Sequence, residues 1–183
     1  MGCPQQRAVD GGHGSSLLPV SQWPLVAEIV SHLSQNLKVP VWCKLRLVAG
    51  NKSLTHKLTA LLADNGCKLV TLHARYASVT RRRQGLADLN EVKILKDVVT
   101  SIPILSNGNV RTLQDVTKNL EFTGADGIMV GEALLANPWL FEGKEADSVG
   151  IIREYLDICA NVHADAFSIP SVRQHIRNFL RAK

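Results

Sequence analysis

Polar or small residues stand in pairs at or just past the ends of four short apolar runs. The pairs are Lys44 and Arg46, His73 and Arg75, Asn107 and Asn109, and Gly131 and Glu132. Cationic and amide side chains bind anionic groups, and glycine lets the backbone approach a ligand closely. One such residue is more often a solvated strand end than a ligand. Four pairs in succession predict one binding site along one edge of a sheet.

Two further features suit a reactive site. The chain opens with "MGCPQQRAVDGGHG", in which the thiol of Cys3 is followed by a proline and several glycines. A thiol can donate a proton, although a cysteine here could equally be a small apolar residue. Small residues also follow two consecutive strands, in Asn107–Gly108–Asn109 and around Gly131. In barrels, backbone N–H groups of such loops bind phosphate, but two ordinary turns would give the same pattern.

The elements that must position these residues alternate in type. Four apolar runs have the length and β-branched content of buried parallel strands, starting at Val39, Lys68, Ile102 and Asp126. Helical patterns lie between them, with Asn65–Gly66 as a helix end and with Asp88–Glu91 and Thr112–Asp115 as capping pairs. The spacing predicts βα units with a parallel sheet. From about Ser148 the chain reads as helical, with an interruption around 168–170.

Composition narrows the classes of protein. The chain has 183 residues, 45% hydrophobic content and a net charge of +5, enough for one core and suited to a polyanionic partner. Four scattered cysteines form no CxxC pair and no zinc-ligand spacing, so we predict no metal site and no disulfide framework. No apolar run approaches the roughly 20 residues of a membrane span. We expect a cytoplasmic protein, with the nucleus as the alternative.

These motifs together resemble one family. "GCPQ", "VPVWCKLRL", "LHAR", "SNGN" and "TGADGIMVGEALLANPWLF" are similar, in order and spacing, to motifs of the tRNA-dihydrouridine synthases. The Asn-Gly-Asn variant and "GCPQ" are closer to the eukaryotic branch that acts on D-loop uridines. The resemblance extends from Gly2 to about Phe141, with the helical tail beyond.

The resemblance implies an FMN-dependent (β/α)8 barrel followed by a helical tRNA-binding domain. It aligns the four strands with barrel strands five to eight, so that residues 1–147 are the C-terminal half of the barrel. Residues 148–183 are then the beginning of the helical domain. We therefore expect a chain that is N-terminally truncated relative to the family.

The resemblance also implies roles for individual residues. Cys3 is the acid that protonates C5 of the uracil ring, Lys44 lies against the flavin, and His73 contacts the flavin or the base. Residues implied to bind the FMN phosphate are Asn107, Gly108, Asn109 and Gly131. Glu132 stands at this site where many members have arginine, which predicts weaker phosphate binding. Residues implied to contact RNA are Arg46, Arg75, Arg81, Arg82 and Arg83.

The function implied is the reduction of specific tRNA uridines to dihydrouridine, with FMN as cofactor and NADPH or NADH as reductant. An alternative from another class is a non-catalytic fragment that acts only as a basic RNA-binding segment. A third reading is another FMN barrel, such as a dihydroorotate dehydrogenase. "GCPQ" and the basic helical tail disfavour that third reading.

Overall fold

The computed structural model describes residues 1–78, 85–162 and 168–181. They fall into two compact units. The first unit comprises Met1–Asn109 and Thr117–Met129, and the second comprises Val110–Val116 and Val130–Lys183. The predicted domain boundary between residues 147 and 148 stays a prediction.

The first unit contains a four-stranded parallel sheet. Its strands, in chain order and in spatial order, are β1 (Val41–Leu47), β2 (Cys67–Tyr76), β3 (Ile104–Asn107) and β4 (Gly127–Met129). The helices that connect them are α3 (Ser53–Asp64), α4 (Leu89–Val98) and α5 (Leu113–Thr123). Two helices precede β1: α1 (Gln6–Asp10) and α2 (Trp23–Asn36). The prediction of successive βα units with a parallel sheet is confirmed.

The core of the first unit lies on one face of this sheet. Side chains of a strand alternate between faces, so Leu45 of β1 and Leu72 of β2 point away from Lys44 and His73. They pack in one cluster with Leu58 and Leu62 of α3 and with Leu95 of α4, all of them fully buried. Aliphatic side chains thus form the core, and the opposite face is left to polar residues near the strand ends.

Helix boundaries follow local signals in three cases and depart from them in a fourth. Pro24 lies in the first turn of α2, and Gly66 follows α3 with φ of 97°. Asp115 Oδ2 accepts from the amide of Thr112 at 3.0 Å, and the Asp115 amide donates to Thr112 Oγ1 at 3.2 Å. This reciprocal pair is the capping box predicted for α5.

The capping pair predicted for α4 is wrong, although the helix begins where expected. The Asp88 amide donates to the Ala74 carbonyl at 2.8 Å, and the Glu91 amide donates to the main-chain oxygen of Asp88 at 3.0 Å. Both carboxylates bind Lys52 Nζ instead, at 3.0 Å and 2.9 Å. A lysine from the preceding loop is a stronger partner for a carboxylate than a backbone amide.

The second unit is helical after its first segment. It contains α6 (Glu132–Ala136), a 3-10 turn (Leu140–Glu142), α7 (Ser148–Val162) and α8 (Ile169–Phe179). Tyr155 of α7 and Phe179 of α8 pack edge to face with ring centroids 5.5 Å apart. Ser168 caps α8 by accepting from the Ser171 amide, which explains the interruption predicted around residues 168–170. Among the helices of the described ranges, none has the length and apolar content needed to span a membrane.

Candidate functional site

A row of residues crosses the sheet near the carboxyl ends of its strands. Arg46 of β1 pairs in register with His73 of β2, His73 with Asn107 of β3, and Asn107 with Met129 of β4. Register partners on neighbouring parallel strands share a face, and Lys44 shares that face because it lies two residues before Arg46. The sheet therefore brings together the residues that the sequence predicted at three strand ends.

Asn107 joins the first, third and fourth strands. Lys44 Nζ donates to Asn107 Oδ1 at 2.6 Å, and Asn107 Nδ2 donates to the Met129 carbonyl at 2.7 Å. Burial, followed by the charge of Arg46, lowers the pKa of Lys44 from its ordinary value. The ammonium group is thus oriented by a neutral amide, which leaves its positive charge available to an anion.

His73 is surrounded by positive charge. Burial is the main cause that lowers its pKa to about 3, and the charges of Lys44, Arg46 and Arg75 lower it further. The imidazole is therefore neutral at physiological pH, with one ring nitrogen able to donate a hydrogen bond and the other able to accept one. This ring can bind a polar ligand edge without adding charge to the site.

The two arginines are held by oxygens of neighbouring segments. Arg46 is buried and its Nη1 donates to the Tyr76 carbonyl at 2.9 Å. Arg75 Nη2 donates to Asn109 Oδ1 at 3.3 Å. Both guanidinium groups are thus fixed at the end of β2, where the sequence predicted contacts with RNA.

The Asn107–Asn109 turn approaches β2 closely. Gly108 has φ of 131°, and a Cβ there would lie 2.7 Å from the Ala87 Cβ and 3.6 Å from the His73 ring. Asn109 has φ of 58°, in the left-handed region. Its side-chain amide is used inside the protein, so its predicted role toward phosphate stays a prediction for the backbone of the turn.

The Cys3 loop lies beside the same end of β1. Cys3 is an exposed free cysteine. A Cβ on Gly2 would lie 3.2 Å from Arg46 Cγ, so this glycine lets the loop run against the strand. The Ser15 amide donates to the Cys3 carbonyl at 2.9 Å and closes the loop on itself. The thiol is therefore carried by a folded loop that contacts a site residue.

Other predicted site residues lie outside this group. Gly131 and Glu132 are exposed and belong to the second unit, where Gly131 immediately precedes α6. Arg81, Arg82 and Arg83 lie outside the described residues. Their predicted roles in phosphate and RNA binding stay predictions.

Two contributors to the site were not found from the sequence. Ala87 contacts the turn through its Cβ and its peptide group, and an alanine offers no chemical signal in a sequence. Asn119 of α5 is buried, and its Nδ2 donates to the Gly108 carbonyl at 3.2 Å. Its place on the same helical face as Val116 and Thr123 was a usable signal, because a polar residue on a buried face needs a specific partner.

Comparison with known proteins places this site in a family. The family model for dihydrouridine synthase matches residues 1–182. A Rattus norvegicus protein named tRNA-dihydrouridine(16/17) synthase [NAD(P)(+)]-like is 35% identical over 96% of the chain, which covers 39% of that relative. The Saccharomyces cerevisiae tRNA-dihydrouridine(16/17) synthase [NAD(P)(+)] is 31% identical over 99% of the chain, which covers 44% of it. The chain thus spans about two fifths of the length of these relatives.

Solved structures bear on the fold alone. Two crystal structures of phosphonopyruvate hydrolase match with TM-scores of 0.51 and 0.53 at 11% identity. They align with 92% and 94% of this chain and with 78% and 80% of their own. With the βα units of the first unit, this likeness identifies the fold as part of a (β/α)8 barrel followed by helices. The match over residues 1–182 and the conserved order of the site motifs lead to one conclusion: the chain belongs to the dihydrouridine synthase family.

Proposed function

We propose that this chain takes part in the reduction of specific tRNA uridines to dihydrouridine, with FMN as cofactor and NADPH or NADH as reductant. The observation that carries the proposal is the row formed by Lys44, neutral His73 and Asn107 at the carboxyl ends of three neighbouring strands. The names of the relatives, which specify tRNA and NAD(P)(+), support the substrate and the reductant.

The donor set of this row fits FMN. A buried ammonium and a neutral imidazole suit the polar edge of a flavin ring system, where reduction builds negative charge. The tight turn at Gly108 suits a phosphate, since such turns present backbone N–H groups to anions. Lys44 and His73 would hold the ring system, and the turn would hold the phosphate. FMN, when bound, supplies the hydride that the reaction needs.

Cys3 is the proposed proton donor. Reduction of the uracil C5=C6 bond adds a hydride at C6 and a proton at C5. The exposed Cys3 thiol can give its proton to C5, which breaks the S–H bond and leaves a thiolate that takes a proton from solvent. The contact of Gly2 with Arg46 keeps this loop beside the row of site residues.

Basic residues are proposed to bind the RNA that carries the target base. The base must leave its stack to enter a pocket, which requires phosphate contacts around the site. Arg46 and Arg75 supply positive charge in the first unit. In the second unit, exposed arginines recur at four-residue spacing along α8 and just beyond it: Arg173, Arg177 and Arg181. Arg81, Arg82 and Arg83 are proposed to add to this surface.

A hybrid enzyme tests the proposal. In it, this chain replaces the matching 44% of the Saccharomyces cerevisiae relative. The hybrid is produced in yeast that lacks the native enzyme, and tRNA dihydrouridine is measured by mass spectrometry. We expect dihydrouridine to return, and Cys3→Ala to lower it about 100-fold, in line with the loss of a general acid, while FMN stays bound.

The matched control separates chemistry from folding. Cys159→Ala removes a buried thiol from the second unit and should leave dihydrouridine formation close to that of the parent hybrid. A hybrid that folds, binds FMN and binds tRNA but forms no dihydrouridine would contradict the proposal. That result would favour a non-catalytic RNA-binding role for this chain.

A further inference from the structure

The side chain of Asn109 bonds a second loop of the protein. Its Nδ2 donates to the Ala87 carbonyl at 2.8 Å, and its Oδ1 accepts from the Ala87 amide at 2.8 Å. The same Oδ1 accepts from Arg75 Nη2 at 3.3 Å. One primary amide thus pairs at two points with one peptide group, which fixes the loop after β3 against the segment that precedes α4.

The backbone of Asn109 makes this pairing informative. With φ of 58°, it is the one non-glycine residue with positive φ within the described ranges. Glycine adopts this conformation at no steric cost, whereas asparagine adopts it at some cost. The side-chain bonds give a physical reason for asparagine here, since glycine would satisfy the backbone alone.

The opposite side of the same turn is held by α5. Asn119 is 3% exposed, and its Nδ2 donates to the Gly108 carbonyl at 3.2 Å. The turn at Gly108 is therefore fastened on two sides, by Asn119 and by the pairing of Asn109 with Ala87. The close approach of Gly108 to Ala87 brings the turn and that segment into direct packing contact.

We propose that Asn109 is a positioning residue, whose side-chain amide clamps the Asn107–Asn109 turn to Ala87 and so orders the backbone N–H groups of the turn for an anionic ligand. This inference rests on the proposed function in one respect, namely that the ligand is a phosphate group. The clamp itself follows from contacts within the protein.

The clamp requires an amide. A carboxylate at position 109 would accept from the Ala87 amide and from Arg75 but would have no proton for the Ala87 carbonyl. Two oxygens would then face each other where the amide nitrogen now lies 2.8 Å from that carbonyl. The resemblance to the family noted aspartate as the commoner residue, so this chain has a bond that aspartate cannot make.

Hydrogen exchange on the 183-residue protein tests the clamp. Asn109→Gly keeps the backbone conformation and removes the side chain, while Asn109→Ala removes both advantages. We expect the Ala87 amide to exchange at least tenfold faster in Asn109→Gly, because its acceptor is lost. Asn161→Ala, at an exposed position of α7, is the control and should leave the exchange of Ala87 unchanged.

Titration with inorganic phosphate tests positioning, with the amide shifts of Gly108 and Asn109 as the signal. At a temperature well below unfolding, we expect Asn109→Gly to bind phosphate about tenfold more weakly than the parent protein, the loss expected when a preorganised site becomes loose. Parent-like exchange at Ala87, or faster exchange with unchanged phosphate affinity, would overturn the inference. A parent protein that protects Ala87 but binds no phosphate would support the clamp and count against the proposed phosphate site.

Discussion

At the amino ends of the strands Lys96 Nζ meets both Asp126 oxygens at 2.8 Å, whereas at the carboxyl ends Lys44, Arg46 and Arg75 surround His73. The first group is a matched pair, in which Asp126 Oδ2 also accepts from the Ile104 amide at 2.7 Å. The second group holds charges of one sign close enough to lower the pKa of His73 to about 3.

The difference lies in the oxygens that hold the cations. Lys96 binds a carboxylate, which neutralises it. Lys44 binds the Asn107 amide, Arg46 the Tyr76 carbonyl and Arg75 the Asn109 amide. Neutral oxygens orient a cation without cancelling its charge, so the carboxyl ends of the strands keep a positive potential that an anionic ligand would satisfy. One end of the sheet is arranged for stability and the other for binding.

Replacing Lys44 should break this comparison most strongly. In the yeast hybrid, Lys44→Met should weaken FMN binding about 100-fold, the loss expected when one partner of a partly buried charge contact is removed. Its melting temperature should stay level or rise, since like charges are relieved. FMN titration and thermal unfolding measure the two effects. A large loss of stability with unchanged FMN affinity would mean that Lys44 is a structural residue.

Protonation of His73 gives the second effect, measured on the protein without ligand. The folded-state pKa of about 3 lies below the ordinary value of 6.5, so the unfolded chain binds the proton first. Stability should therefore fall as pH drops below 6.5 and level off near pH 3, by roughly 2–3 kcal/mol once the shift is discounted for solvent screening.

His73→Gln should flatten this pH dependence in urea unfolding measurements. His32→Gln, at an exposed position of α2, is the matched control and should keep the slope of the parent protein. An unchanged slope in His73→Gln would show that other groups cause the acid sensitivity.

Asp126→Asn tests the opposite end of the sheet with a smaller effect. Burial acts to raise the pKa of Asp126, but Lys96 and the Ile104 amide outweigh it and hold this pKa below its ordinary value. The pairing therefore stabilises the fold above the ordinary carboxyl pKa, and that stability is lost as pH falls through the lowered pKa. At neutral pH we expect Asp126→Asn to cost about 1 kcal/mol in urea unfolding, with FMN affinity in the hybrid unchanged. Weaker FMN binding would contradict the separation of the two ends.

Strand positions were predictable because each apolar run has a strand's length and is followed by a helical pattern. Parallel pairing then brings residues such as Arg46, His73 and Asn107 to one edge, without knowledge of any contact. The helix predicted from the stripe of α2 also formed. The pattern did not reveal which side is covered: Val26 and Val30 are buried, whereas Ile29 is 40% exposed.

Contacts between side chains and distant backbone were not predictable from spacing. Lys52 displaced the capping box of α4 because two carboxylates happened to lie within reach of one ammonium group. Asn109 read as a ligand donor, yet its amide pairs with Ala87, twenty-two residues earlier. Such choices depend on three-dimensional distances that one sequence does not contain, although the polar Asn119 on a buried helix face was a signal.

Glu132→Arg should sharpen the comparison with the smallest effect. The family resemblance assigns this position to the phosphate site, where arginine would extend the positive potential of the carboxyl ends of the strands. We expect FMN affinity in the hybrid to rise a few-fold, about 0.5–1 kcal/mol for an exposed charge. Stability should fall by a few tenths of a kcal/mol, because an acidic residue in the first turn of α6 interacts favourably with the helix dipole. Glu132→Gln should give about half of the gain in affinity, since it removes repulsion without adding a cation. Equal FMN affinity in all three proteins, measured at low and high salt, would show that Glu132 lies too far from the phosphate to act on it.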